Sequence, residues 1–488
     1  MNKPLRRVAV FCGLLVLALL LRVNYVQFVQ ADQLSNDVHN RRVAINQYAQ
    51  PRGDIIVDGG KAITGHTETT GSDFKFKRTY VDGPMWAPVT GHASQAFGTT
   101  FLEGVEDKFL TGNDDRLFFN RTIDLLTGKE KQGGNVVTTL NAKAQKAAFQ
   151  GLGNKKGAVV ALDPGTGAIL AMASTPSYDP STIAGNSKTD EKNWVALDKK
   201  NDPDDPTQNR ALRQTYPPGS TFKLVTAAAA LENGAVTDIN AKTDTPLPYI
   251  LPGTTTPLKN EGNIPCKEAS LIDALRVSCN TVFGHLGADK VGLQAMVDEA
   301  EKFGFNKEQF VPVRANASNF DTKMTKDQVA LSSIGQFDTA ATPLQMAMVA
   351  SAIANNGKLM KPYMVDKLVA PNLSTISQTN PSEMSQPLSP ENAQKLQTMM
   401  ETVVNSGTGT NAKISGVKVG GKTGTAQNGI NNEGTPYAWF VSYAMTDQGS
   451  PVAVAVVVED GAANHDDVSG GGLAAPIAKK VMEAVLNK

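Results

Sequence analysis

The longest unbroken run of apolar positions lies at the start of the chain. After MNKPLRR, residues Val8 to Leu21 are all apolar or small, and beyond Arg22 the apolar character resumes in VNYVQFV. A bilayer core takes about 20 residues of helix, so 8–29 spans one if the Arg22 guanidinium snorkels to the outer interface. A cleaved signal peptide would carry an apolar stretch of the same length, but only the weak Val29-Gln30-Ala31 offers it a small-x-small site. The expectation is therefore a retained transmembrane anchor over 8–29. Lys3, Arg6 and Arg7 put the tail, 1–7, in the cytoplasm and everything after the anchor outside.

Beyond the anchor the pattern changes twice. Residues 30–145 are rich in Gly, Thr, Asn and charge, and QPRGDIIVDGGKAITG reads as short strands broken by turns. This block shows no catalytic constellation, which suits a supporting or docking module. A second block opens with GGNVVTTLNAKAQKAAFQGLG, a strand followed by an amphipathic helix. GAVVALD and AILAMAST follow, joined by PGTG in a hairpin pattern. Near the other end KVGGKTGTA, YAWFVSYA and PVAVAVVVE are three further strand candidates, and GLAAPIAKKVMEAVLN reads as a closing helix. Strands at both ends with helical sequence between them predict an α+β domain over 146–488, its antiparallel sheet closed by both ends. TPLQMAMVASAIANNG is a core helix with Thr342 as N-cap, Pro343 in the first turn and Gly357 past its end. EKNWVALDKKNDPDDPTQNR and TDINAKTDTPLPYILPGTTTPLKNEGNIP read as long surface loops, and QNGINNEGTP as a hairpin tip.

Composition narrows the partners. A chain of 488 residues is too long for one ordinary core. Lys plus Arg and Asp plus Glu are both 47, with no long basic run, which argues against nucleic acid as a partner. No repeat of fixed period points to a solenoid or propeller. The five histidines (His39, His66, His92, His285, His465) show no HExxH or paired spacing, so neither a metal nor a cofactor is expected. Of three cysteines, Cys12 lies in the anchor. Cys266 and Cys279, 13 positions apart and outside the membrane, are candidates for a disulfide, with two buried free thiols as the alternative.

One stretch breaks the apolar pattern in a way that suggests chemistry. YPPGSTFKL delivers Ser220 and then Lys223 into a segment, LVTAAAAL, that is apolar all round and so reads as a buried helix. The two are i and i+3, neighbours on one face, and Ser220 sits in the first turn where unpaired N–H groups favour negative charge. Burial disfavours an ammonium, so Lys223 can be neutral near pH 7 and take a serine proton. A bare S-x-x-K also fits an N-cap serine and a lysine reaching for the surface. Two more elements change the balance. LIDALRVSCNTVFGHLG places Ser278 and Asn280 between two apolar helical stretches, where a hydroxyl and a carboxamide can relay a proton and orient an amide. GGKTGTA places Lys422, Thr423, Gly424 and Thr425 on a glycine-flanked strand, offering one cation and two hydroxyls to a carboxylate.

These three motifs, in this order and at these separations, match the set of penicillin-binding proteins and serine β-lactamases. With the anchor, PRGDI, LDPGTGAILAMASTPSYDP, NRALRQTYPPGSTFK, IGQ and AWFVSYA, the chain resembles a class B penicillin-binding protein, closest to the actinobacterial branch, over nearly its whole length. The resemblance implies a pedestal or dimerisation-like domain over 30–145. It also implies a transpeptidase domain with a five-stranded antiparallel sheet and a helical subdomain. The implied activity is a serine-type D,D-transpeptidase that cross-links peptidoglycan in growth and division and is acylated by β-lactams. In that reading Ser220 attacks the D-Ala–D-Ala amide and Lys223 is the base. Ser278 and Asn280 position the peptide and shuttle protons. Lys422, Thr423, Gly424 and Thr425 hold the terminal carboxylate. The implied partners are stem peptides, β-lactams, the cell membrane and a membrane glycan polymerase. Rival readings are a D,D-carboxypeptidase, a β-lactamase, and a non-catalytic β-lactam sensor or divisome scaffold.

Overall fold

A computed structural model describes residues 3–35, 37, 40–70, 73–199, 202–428, 434–459 and 468–487. Helix Lys3–Phe28 buries no residue against the rest of the protein and is long and apolar enough to cross a membrane. His39, His465 and the middle of the expected hairpin tip, 429–433, lie outside the described residues.

The sheet that carries the chemistry has five antiparallel strands in the order Lys418–Asn428, Gly434–Thr446, Gly449–Val458, Gly157–Leu162, Ile169–Thr175. The ends of the domain meet at its centre, where Val458 pairs with Gly157 and Ala453 with Leu162. Alternating residues of these strands enter two different cores, because side chains along a strand point to opposite faces. Val159, Ala161, Val454 and Val456 pack with Ala144, Ala148, Ala478 and Val481 of helices Ala142–Leu152 and Ala475–Leu486. Val160, Leu162, Ala455 and Val457 face helix Pro343–Ala354, all of whose residues are buried. Burial on both faces explains why these strands read as continuous apolar runs. Thr342 caps the central helix by accepting from the Gln345 N–H.

A second five-stranded sheet has the order Thr375–Gln378, Val365–Val369, Asn135–Thr138, Ile55–Val57, Lys61–Ala62. The NVVT strand thus runs parallel to Ile55–Val57 and antiparallel to Val365–Val369, in the small sheet rather than the large one. This sheet takes strands from both sides of residue 145. Beside it lies a buried charge cluster. The Glu103 carboxylate accepts from Arg78 Nε at 2.5 Å and Arg52 Nε at 3.0 Å, and Arg52 Nη1 also reaches Asp107 at 2.7 Å. Burial alone would raise the Glu103 pKa, but the Arg78 and Arg52 charges outweigh it and hold the carboxyl below its usual range.

One loop expectation is corrected. EKNWVAL belongs to helix Lys188–Leu197, started by a capping box between Ser187 and Asp190 and anchored by Trp194 stacked on Phe97 at 5.0 Å. The second expected loop contains a small hairpin, Tyr249–Ile250 with Pro257–Leu258.

Candidate active site

The segment before Ser220 is clamped on every side. Tyr216 exchanges backbone hydrogen bonds with Ala341 (2.9 and 2.8 Å), and its hydroxyl donates to Glu459 Oε1 at 2.6 Å. Trp439 Nε1–H donates to the Pro217 carbonyl at 3.0 Å, and Gly219 N–H to Gly335 O at 3.0 Å. Gly219 has φ +51°, and a Cβ there would meet Ala426 Cα at 3.1 Å, so the turn needs glycine on both counts. A 3-10 turn, Gly219–Phe222, then feeds helix Lys223–Glu232, in which Lys223 through Leu231 are all buried.

Lys223 is fully buried. Its Nζ lies 2.7 Å from Asn280 Oδ1, 2.8 Å from Ser278 O, 3.0 Å from Ser220 Oγ and 3.2 Å from Ser278 Oγ. Burial first, and then the charge of Lys422, hold its pKa well below the usual lysine value. The two shortest contacts are to oxygens that only accept. A neutral amine donates to both and keeps its lone pair for the Ser220 hydroxyl.

Ser278 sits where it does because of how helix Leu271–Arg276 ends. Ser278 N–H bonds Leu275 O at 3.2 Å and Cys279 N–H bonds Ala274 O at 2.8 Å, which is a Schellman motif with Ser278 at its left-handed position, φ +64°. Glycine usually fills that position, and a serine there costs about 1–2 kcal/mol. The strained turn aims Ser278 Oγ between two lysines, 3.2 Å from Lys223 Nζ and 2.9 Å from Lys422 Nζ. The next residue, Cys279, is bonded to Cys266 with Cα atoms 6.2 Å apart, which ties the turn to the preceding loop. Asn280 opens helix Asn280–His285, and its Nδ2–H donates to Lys259 O at 2.8 Å.

Lys422 is also fully buried, and burial lowers its pKa to about 7. Gly424 lets the nucleophile turn lie against this strand, since a Cβ would meet Pro218 O and Thr221 Cγ2 at 3.0 Å. Thr425 lines a cavity of about 710 Å³ with Ser220 and Asn280. Thr423 does not belong to that lining; its hydroxyl is 2.6 Å from Thr408 Oγ1. Thr408 and Glu459 escaped the sequence reading. Thr408 stands in a Ser/Gly/Thr run that looks like any loop, and Glu459 merely ends a strand.

Ser220, Lys223, Ser278, Asn280 and Lys422 therefore form one hydrogen-bonded chain from three separate segments. The family described as penicillin binding protein transpeptidase domain matches residues 157–483, and the penicillin binding protein A dimerisation domain matches 52–136. The peptidoglycan D,D-transpeptidase PbpA of Mycolicibacterium smegmatis is 40% identical over 501 residues, covering 100% of both chains. That of Mycobacterium tuberculosis is 40% identical over 500 residues, covering 100% of this chain and 99% of its own. Among solved structures, the ceftriaxone acyl-enzyme of M. tuberculosis penicillin-binding protein A aligns with TM-score 0.85 and 39% identity, over 91% of this chain and 100% of that one. Its penicillin G acyl-enzyme aligns with TM-score 0.83 and 39% identity, over 90% and 100%. Fold, buried lysines and full-length likeness agree, and the chain belongs to the penicillin-binding transpeptidases as a peptidoglycan D,D-transpeptidase.

Proposed function

We propose that transpeptidation here runs through an acyl-enzyme on Ser220, with Lys223 as the base. The observation that carries this reading is the bonding of Lys223 Nζ: two carbonyl-type acceptors and the hydroxyls of Ser220 and Ser278 around a fully buried amine. Neutral Lys223 takes the Ser220 proton as Oγ attacks the carbonyl of the penultimate D-alanine. The backbone N–H groups of Ser220 and Thr425 receive the developing oxyanion. The proton passes by way of Ser278 to the leaving D-alanine nitrogen, and the C–N bond breaks. Asn280 orients the donor peptide. Thr425, with Lys422 and Gly424 along its strand, receives the terminal carboxylate of the donor or of a β-lactam, and Thr423 braces the strand through Thr408. The amine of a second stem peptide then displaces Ser220.

The proposed organisation is a cytoplasmic tail, 1–7, a single anchor, 8–29, a pedestal, 30–145, and an extracytoplasmic catalytic domain, 146–488. The anchor helix and the basic residues before it support this orientation. An enzyme held at the membrane that consumes new glycan strands needs their supplier nearby, so a membrane glycan polymerase is its proposed partner. The test is fluorescent penicillin labelling followed by digestion and mapping. The expected adduct is on Ser220, and Ser220→Ala abolishes it while costing at most about 1–2 kcal/mol of stability. An adduct on another residue would overturn the assignment.

A further inference from the structure

Among the described residues lining the Ser220 cavity, Glu261 is the single acidic side chain. It is exposed, and its carboxylate makes no ion pair among the described residues. It is nevertheless held at the wall of the cavity. Asn260, next to it, accepts from Thr281 N–H at 3.0 Å and donates to Thr281 Oγ1 at 3.2 Å. Lys259 is tied through its carbonyl to Asn280 Nδ2 at 2.8 Å. The Glu261 charge is felt at both Lys223 and Lys422, where it favours the protonated form.

An acid in this place opposes the first half of the reaction. The donor arrives with a terminal carboxylate, which Glu261 repels, and the base must be neutral, which Glu261 resists. The second half has the opposite need. Its nucleophile is a primary amine, which with an ordinary pKa of about 10.4 arrives as a cation. Lys259 and Lys422 repel that cation, and Glu261 attracts it.

We infer that Glu261 is the docking carboxylate for the ammonium group of the acceptor stem peptide, an inference that rests on the Ser220 acyl-enzyme. The docked ammonium loses one proton to solvent. The free amine attacks the acyl carbon and forms the new C–N bond while the ester C–O bond breaks. Its second proton passes through Lys223 to the Ser220 oxygen, which restores the hydroxyl.

The test uses the full-length enzyme in detergent, acylated by a thioester analogue of the donor, with water and an added amine competing for the acyl group. One acceptor is a cationic diamino-acid amide, the other uncharged hydroxylamine. Amounts are normalised to penicillin-labelled protein, so poor folding does not enter the ratio. Glu261→Gln should lower the preference for the cationic acceptor about two- to fivefold, the worth of a partly exposed ion pair, and Glu261→Asp should keep part of it. Raising salt from about 0.05 to about 0.5 M should erode the preference in wild type but not in Glu261→Gln. An unchanged preference in Glu261→Gln overturns the inference. So does a deficit confined to acylation by donors bearing a free side-chain amine, which would make Glu261 a reader of the donor. Absence of penicillin labelling on wild-type Ser220 would instead strike the acyl-enzyme reading itself.

Discussion

Two of the groups of charges that lie out of water in this chain meet the cost of burial in opposite ways. In the pedestal, Glu103 is enclosed by Arg52 and Arg78, and each charge is held by its partners. In the catalytic domain, Lys223 and Lys422 are equally buried, share Ser278 Oγ and, among the described residues, have no carboxylate bonded to them. Arginine stays charged in any surroundings, whereas lysine can give up its proton. Pairing therefore yields a rigid joint, and withholding the partner yields a base. A buried cation without a counterion is the better mark of chemistry of the two.

The sharpest way to break this contrast is Lys223→Arg, which keeps the charge and removes the ability to lose it. Acylation by penicillin should fall about 10²–10⁴-fold, nearly as far as in Lys223→Ala. A near wild-type rate in stopped-flow labelling would make Lys223 an electrostatic partner only. Glu103→Ala is the complementary change. It leaves two buried arginines without their shared carboxylate and should destabilise the protein by about 3–5 kcal/mol in chemical unfolding. The molecules that remain folded should acylate at the wild-type rate, and a slowed rate would tie the pedestal to the chemistry.

Glu299 lies between the two cases and should give the smallest effect. It is buried with one oxygen 3.0 Å from Lys302, while Oε1 has no hydrogen-bond partner among the described residues, and burial raises its pKa to about 7. A carboxyl raised in the folded state holds a proton that the unfolded chain releases near its ordinary value. Stability then declines as pH rises from that value through about 7. Glu299→Gln should remove this decline and stabilise the protein by about 1–3 kcal/mol at pH 8, with little gain near pH 4.5. Parallel melting curves of variant and wild type across that range would show the pairing with Lys302 to be sufficient.

Much of the large sheet was legible because strands buried on both faces are continuous apolar runs, and its turns carry Gly, Asn and Pro. The three motifs were legible because lysine and serine inside apolar helices or glycine-rich strands violate the local pattern. The left-handed backbone of Ser278 was not, since nothing in SCN states that a serine fills a position suited to glycine. Glu103 was equally silent, as a lone acid in FLEGV announces no partner 51 residues away in PRGD. The helix through Trp194 was hidden by the Asp- and Lys-rich sequence after it, and its signal was the Ser187–Asp190 capping box.

The small sheet bears on how this protein is made. Asn135–Thr138 sits at its centre, and one neighbour, Val365–Val369, lies more than 220 residues later in the chain. A ribosome delivers the earlier strands first, so the pedestal has to wait, one edge unsatisfied, until most of the catalytic domain has emerged. Completion of the two halves is coupled in time, and long-range strand pairing of this kind is slow and open to association meanwhile. A pedestal cut free near residue 145 would carry that exposed edge permanently.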